Sequence, residues 1–165
     1  MRLEEVLENL KNEFGDAILE SEFAFEDLSI LITNESYFEL VKFLKTQNSF
    51  DQLADTTAVH YPDKDKPFQN VVHLFSNLHN LRIRIKVDLA KDEPIDSLVS
   101  LYPAANWPER ETWDFLGVVY RYHPNLTRIM NVDNFEGHPL RKEYPIKGKR
   151  DPLYHQMMEL SKRGH

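Results

Sequence analysis

Residues 81–87 read Leu81-Arg82-Ile83-Arg84-Ile85-Lys86-Val87. Apolar and basic side chains alternate without a break, the two-residue period of a strand with one greasy and one basic face. Two extended runs precede it, Gln69–Phe75 and Asp55–Tyr61, and set three strands in succession. Before them, Asn34 is expected to cap an amphipathic helix carrying Phe38, Val41 and Leu44. Earlier still, Ala17–Phe25 and Asp27–Thr33 read as two strands joined by a tight turn, Leu28, Ile30 and Ile32 alternating in the second. The chain opens on Leu3, Val6, Leu7, Leu10 and Phe14, spaced for one helical face and stopped by Gly15. The order α-β-β-α-β-β-β predicts an α+β fold: a mostly antiparallel sheet with helices on one side, followed by a long irregular C-terminal arm.

Three divisions follow. Residues 1–92 form the α+β platform, 93–145 complete the domain and form a partner interface, and 146–165 make a basic tail with a short helix. The first boundary falls at Asp92-Glu93-Pro94, after which come Pro94, Pro103, Pro108, Pro124, Pro139, Pro145 and Pro152. From Arg141 to His165 the chain carries seven cations against three anions, a net +4 against -11 for the rest. Within it Asp151 caps, Pro152 starts, and Leu153, Met157 and Leu160 repeat at helical spacing. A basic tail on an acidic body suggests a tether to an acidic surface.

Composition removes several function classes. The 165 residues contain no cysteine, which excludes disulfides and cysteine-held iron–sulfur or zinc sites in this chain. With 5 glycines there is no Gly-rich phosphate loop, so NADH and flavin have no recognised binding motif. The basic strand face carries too few charges on a protein of net charge -7 to read as a nucleic-acid surface. No run is long and apolar enough to span a membrane. Met1-Arg2-Leu3-Glu4-Glu5 starts an acidic helix rather than a targeting segment, which favours a bacterial cytoplasmic location.

The densest chemistry lies between Trp107 and Pro145. Asn106 is expected to cap a helix with Pro108 in its first turn, Arg110 reaches Asp114 at i,i+4 spacing, and Gly117 supplies the stop. His123-Pro124 and Gly137-His138-Pro139 mark turns beyond it. Glu109, Glu111 and Asp114 could form a general acid/base set, but no nucleophile or oxyanion-stabilising motif accompanies them. His123, His138 and Glu143 do not have metal-ligand spacing. Ion pairs, structural or at an interface, are the better reading of these charges. The stripe Trp107, Trp113, Phe115, Tyr120 and Tyr122 reads as packing, with the interface hot spot as its alternative.

Three runs in this region resemble a known family, the 30-kilodalton or C subunit of respiratory complex I. They are Glu109-Arg110-Glu111-Thr112-Trp113-Asp114-Phe115-Leu116-Gly117-Val118, His123-Pro124-Asn125-Leu126-Thr127-Arg128-Ile129, and Gly137-His138-Pro139-Leu140-Arg141-Lys142-Glu143-Tyr144-Pro145. The likeness extends upstream through 102–107 and 79–87, with Tyr122 where the family has Gly and Phe135 where it has Trp. It implies a cofactor-free, non-catalytic subunit in the peripheral arm of a proton-translocating NADH:quinone oxidoreductase. The complex itself would use FMN, iron–sulfur clusters, NADH and a quinone such as ubiquinone for electron transport. The implied partners are the 49-kDa (D-type) subunit that shapes the quinone site and the B-type subunit that carries the terminal cluster, on the cytoplasmic side of the bacterial inner membrane. Membrane association would come only through the complex. The residues assigned to the contact by motif are Glu109, Arg110, Glu111, Asp114, Arg128, His138, Arg141 and Lys142. Catalytic, cofactor-binding and metal-binding residues are expected to be none. The alternatives are the equivalent subunit of a membrane-bound hydrogenase, formate hydrogenlyase or ferredoxin-dependent complex, and a stand-alone hydrolase built on the Glu/Asp/His cluster.

Overall fold

The computed structural model describes residues 2–25 and 27–145; the predicted tail helix lies outside them. Helix α1 (Leu3–Phe14) buries Leu3, Val6 and Leu10. Its first turn is closed by the Arg2 N–H donating to the Glu5 carboxylate at 3.0 Å. Strands β1 (Ile18–Ala24) and β2 (Asp27–Ile32) form the expected hairpin. Helix α2 (Asn34–Gln47) follows, burying Tyr37, Leu40, Val41 and Leu44 at helical spacing. Its cap position is Thr33, without a side-chain bond, so the expected Asn34 cap is corrected. The Asn34 amide donates instead to Glu93 and to the Pro94 carbonyl, pinning the turn where the platform ends.

Strands β3 (Gln52–His60), β4 (Phe68–Ser76) and β5 (Leu81–Leu89) complete a five-stranded sheet in the order β1-β2-β5-β4-β3. Only the central β2–β5 pair is parallel, because α2 and the β3–β4 hairpin intervene between those strands. The alternation in β5 is realised: Ile83, Ile85, Val87 and Leu89 are buried while Arg84, Lys86 and Asp88 stay partly exposed. Register carries the split across the sheet, with Val72 opposite Ile85 and Leu74 opposite Ile83 inward, and His73 opposite Arg84 outward. Complete burial of an aliphatic side chain contributes about 1.5–3 kcal/mol, so this one strand anchors a large share of the core.

The second half joins the same core. Strand β6 (Ile95–Asp96) pairs in parallel with β7 (Tyr120–Arg121), and helix α3 (Asn106–Leu116) between them packs against β3. Ile95, Leu98, Tyr102, Ala105, Leu116, Val118 and Tyr120 are all buried in the common cluster. Two hydroxyls fasten the halves: Tyr102 donates to the Phe50 carbonyl at 2.6 Å and Tyr120 to Asn70 Oδ1 at 2.8 Å. No helix among the described residues is long and apolar enough to cross a membrane.

Candidate interface site

Helix α3 ends at Gly117, whose φ of +77° is the left-handed stop expected of it. A helix end leaves its last four carbonyls without intrahelical partners. Here each finds a donor. The Gly117 N–H donates to the Trp113 carbonyl at 2.8 Å, and the Leu140 N–H to Phe115 at 3.0 Å. His138 Nδ1 lies 3.0 Å from the Asp114 carbonyl, which Arg128 Nη1 also approaches, and Arg141 Nε donates to the Leu116 carbonyl at 2.6 Å. Three side chains from the arm, two of them guanidinium, thus sit on the negative end of the helix dipole.

Asp114 is the staple that holds the arm there. Its Oδ2 accepts the backbone N–H groups of Ile129, Met130 and Asn131 at 3.1, 2.9 and 2.9 Å. Its Oδ1 accepts Arg128 Nη1 at 2.5 Å and Asn131 Nδ2 at 2.9 Å. Burial alone would raise its pKa, but the donors of Asn131, Arg128 and Met130 hold it well below the usual carboxylate range. Arg128 continues to the carbonyls of Phe135 and Gly137 and lies between the rings of Trp113 and Phe135, 5.5 and 5.6 Å from their centroids.

Glu109 lies towards the other end of α3, and among the described residues it forms no ion pair. Fully buried, it accepts Ser97 Oγ at 2.6 Å and the Leu98 N–H at 2.7 Å. Burial pushes its pKa up to about 7, against the lowering effect of those two hydrogen bonds. His123 bridges the same region, its Nε2 3.1 Å from the Asn106 carbonyl while Nδ1 accepts the Asn125 N–H. Burial lowers the pKa values of His123 and His138, consistent with neutral rings serving as hydrogen-bond partners.

Two local expectations are corrected. Asn106 is the first residue of α3 rather than its cap; the cap position is Ala105, the last residue of a short 3-10 turn. Arg110 does not reach Asp114; it donates to the Thr127 carbonyl and hydroxyl and the Arg128 carbonyl, because Asp114 points into the arm. Glu109 and Asp114 are buried, and their carboxylates accept hydrogen bonds from within the chain. Glu111 alone of the three acids is exposed, on the rim of a groove lined by Pro103, Ala104, Trp107 and Pro108. Lys142 also faces solvent, its backbone N–H donating to His60 Nδ1 at 3.0 Å. Arg141 lies over the Phe68 ring, 5.1 Å from its centroid.

The aromatic stripe divides. Tyr120 is buried and Trp113 and Phe115 are partly covered, whereas Trp107 and Tyr122 are open, Trp107 at 71%. Sequence reasoning missed Met130 and Val132, 64% and 65% exposed on the loop that Asp114 holds rigid. It also missed Asn131, whose signal was its place two residues after the Arg-Ile pair, in reach of the staple. Among the described residues no group of three or more His, Asp or Glu is placed to hold a metal ion.

The family model described as "Respiratory-chain NADH dehydrogenase, 30 Kd subunit" matches residues 30–150, from β2 through the stapled arm. The chain belongs to that family. It is 39% identical over 148 residues to the C subunit of NADH-quinone oxidoreductase from Bartonella bacilliformis, covering 88% of this chain and 72% of that one. Against the same subunit of Rhizobium rhizogenes it is 43% identical over 136 residues, 81% of this chain and 68% of the relative. A chain in the structure of the membrane-bound sulfane sulfur reductase, an archaeal respiratory membrane complex, shares the fold at a TM-score of 0.73. That likeness covers 96% of this chain and 91% of the other at 21% identity. Tyr122 has φ +62°, the left-handed region glycine favours, which suits the Gly that the resemblance leads one to expect there. Phe135 keeps an aromatic contact with Arg128 and also stacks on Tyr144 at 6.1 Å.

Proposed function

We propose that this chain is a cofactor-free, non-catalytic subunit in the peripheral arm of a proton-translocating NADH:quinone oxidoreductase. On this reading it supports the quinone-reducing module, docking on the 49-kDa quinone-site subunit and lying near the terminal-cluster subunit on the cytoplasmic face of the inner membrane. FMN, iron–sulfur clusters, NADH and quinone belong to other subunits. The observation that carries the reading is the stapled arm: family-signature residues fix a loop and cap a helix, and what they present outward is Trp107, Glu111, Met130, Val132 and Lys142. An ordered apolar and aromatic surface with a few rim charges is what protein interfaces use. Arg110, Arg128, His138 and Arg141 contribute by holding that surface, and Glu109 and Asp114 by anchoring it from inside.

The test is assembly measured beside chemistry. A tagged chain recovered from detergent-solubilised membranes should bring down flavin, iron–sulfur and quinone-site subunits, and Trp107→Ala with Glu111→Ala should lower the assembled fraction on a native gel. Activity per assembled complex should stay unchanged. Normal assembly with abolished quinone reductase activity would refute the structural role. Recovery of hydrogenase or ferredoxin-dependent partners would move the chain to that related class of complex.

A further inference from the structure

The sheet has two edges, and they are treated differently. At one, α3 packs on β3 and the arm closes on its end through the Lys142 N–H to His60. At the other, residues 19–23 of β1 are exposed, and among the described residues its one strand partner is β2. Leu19 and Phe23 are 56% and 47% exposed there. Pairing fixes the faces. Glu20 and Glu22 lie opposite Leu31 and Ser29, which lie opposite Lys86 and Arg84, so both carboxylates stand on the open face of the sheet. Ser21 and Phe23 lie opposite Ile30 and Leu28 on the helix-bearing face.

We propose that β1 is an assembly edge that receives an extended strand from a different polypeptide, with Lys or Arg opposite Glu20 and Glu22 and apolar residues alternating between them. Strand addition satisfies the free backbone groups, and alternate side chains set specificity. The charge pattern selects the occupant. A second copy adding antiparallel in the register of fullest overlap, with both helix layers on one side, sets Glu20 opposite Glu22 and Glu22 opposite Glu20. Like charges directly opposite destabilise a strand pair, so the chain is built against pairing with itself. On the inner side of β1, Lys64 and Lys86 line the same concavity as Glu20 and Glu22, the Lys86 backbone standing two strand spacings away, about 9–10 Å. A cation on an added strand would stand about 5 Å off. Phe23 and Leu19 supply the apolar contact that a purely repellent edge lacks.

The inference rests on the reading that the chain is part of a multi-subunit complex, and the experiment separates the two. A photo-crosslinking phenylalanine analogue is placed at Phe23 and, in a parallel chain, at Trp107, and the intact complex is irradiated in solubilised membranes. The expected product at position 23 joins one other polypeptide of the complex through a short segment with basic residues at alternate positions. Glu20→Lys with Glu22→Lys, and separately Glu20→Gln with Glu22→Gln, should lower its yield, the former about ten-fold from two reversed cross-strand pairs. Overturning results are a crosslink at Trp107 without one at 23, a crosslink to a second copy, or one to a helix or an acidic segment. Failure of the tagged chain to recover redox subunits would instead remove the assembly reading itself.

Discussion

Asp114→Asn changes one atom and should loosen the arm while leaving the sheet intact. The carboxylate accepts five hydrogen bonds, three backbone N–H groups on Oδ2 and two side-chain donors on Oδ1. An amide has one accepting oxygen, so whichever way it turns its NH2 faces donors. The less costly orientation keeps the oxygen on Ile129, Met130 and Asn131 and sets the NH2 against Arg128 and the Asn131 amide. Arg128, with its side chain 12% exposed, then lacks its counter-ion. Stranding one member of a buried pair costs about 3–5 kcal/mol, comparable with the low end of total domain stability, about 5–15 kcal/mol. The loss should be local, because the arm lies outside the strands that form the core. Hydrogen exchange of the purified chain should show residues 126–141 losing protection by two or more orders of magnitude, with β4 and β5 little changed. Wild-type protection at Ile129–Asn131 in the Asn variant would refute the staple.

The buried Glu109 should act in the opposite direction with pH. Its folded pKa of about 7 lies above an unfolded value near 4.5, so the folded state binds the extra proton between them and Glu109 erodes stability as pH rises through that window. The full effect is about 3 kcal/mol. His73, His123 and His138, all held below their ordinary value, oppose it over the same range, so the quantity to measure is the wild-type minus Glu109→Gln difference in urea stability from pH 4.5 to 8. A difference that does not move in favour of the Gln variant with rising pH would contradict the assignment. Gly117→Ala should cost at least about 2 kcal/mol, combining left-handed backbone strain with a Cβ 2.6 Å from His138 Cδ2; a loss under about 0.5 kcal/mol, the usual range for a neutral surface change, would count against the close approach. Tyr122→Gly relieves a left-handed φ at an exposed side chain, so urea stability should hold or rise by up to about 1 kcal/mol. A large loss would show that Tyr122 packs in a way its exposure does not suggest.

What the sequence disclosed tracks how local the physics is. The period-two run of β5, the helical spacing of Leu3, Val6 and Leu10, and the Gly15 and Gly117 stops each follow from neighbours within a few residues, and each appears as expected. Caps differ from expectation where a distant partner replaces the local one: Asn34 could cap α2 but bonds Glu93, 59 residues away. Arg110 and Asp114 are correctly spaced to pair, yet the turn at residues 125–131 engages each separately, Arg110 through Thr127 and the Arg128 carbonyl, Asp114 through the Arg128 guanidinium. Strand β3 begins earlier than its apolar pattern implies, because a register shift between Leu53 and Asp55 breaks the alternation that the eye follows.

The same distinction bears on how a charged signature should be used to locate a contact. A cluster of opposite charges in sequence invites the view that a partner neutralises them, but Asp114 and Arg128 neutralise each other within the chain, and Arg141 is taken up by α3's carbonyls. Their effect on any neighbour is therefore through geometry. Three consecutive N–H groups on one oxygen fix the backbone of Ile129–Asn131, so Met130 and the nearby Val132 are presented without the ordering cost of a free loop. Immobilising a flexible interface side chain costs about 0.5–1.5 kcal/mol, and a loop fixed before contact avoids further backbone loss. Loss of Asp114 should thus weaken assembly mainly by slowing productive docking, whereas loss of Trp107 should mainly hasten dissociation. Separate association and dissociation rates for the two variants distinguish a scaffold residue from a contact residue.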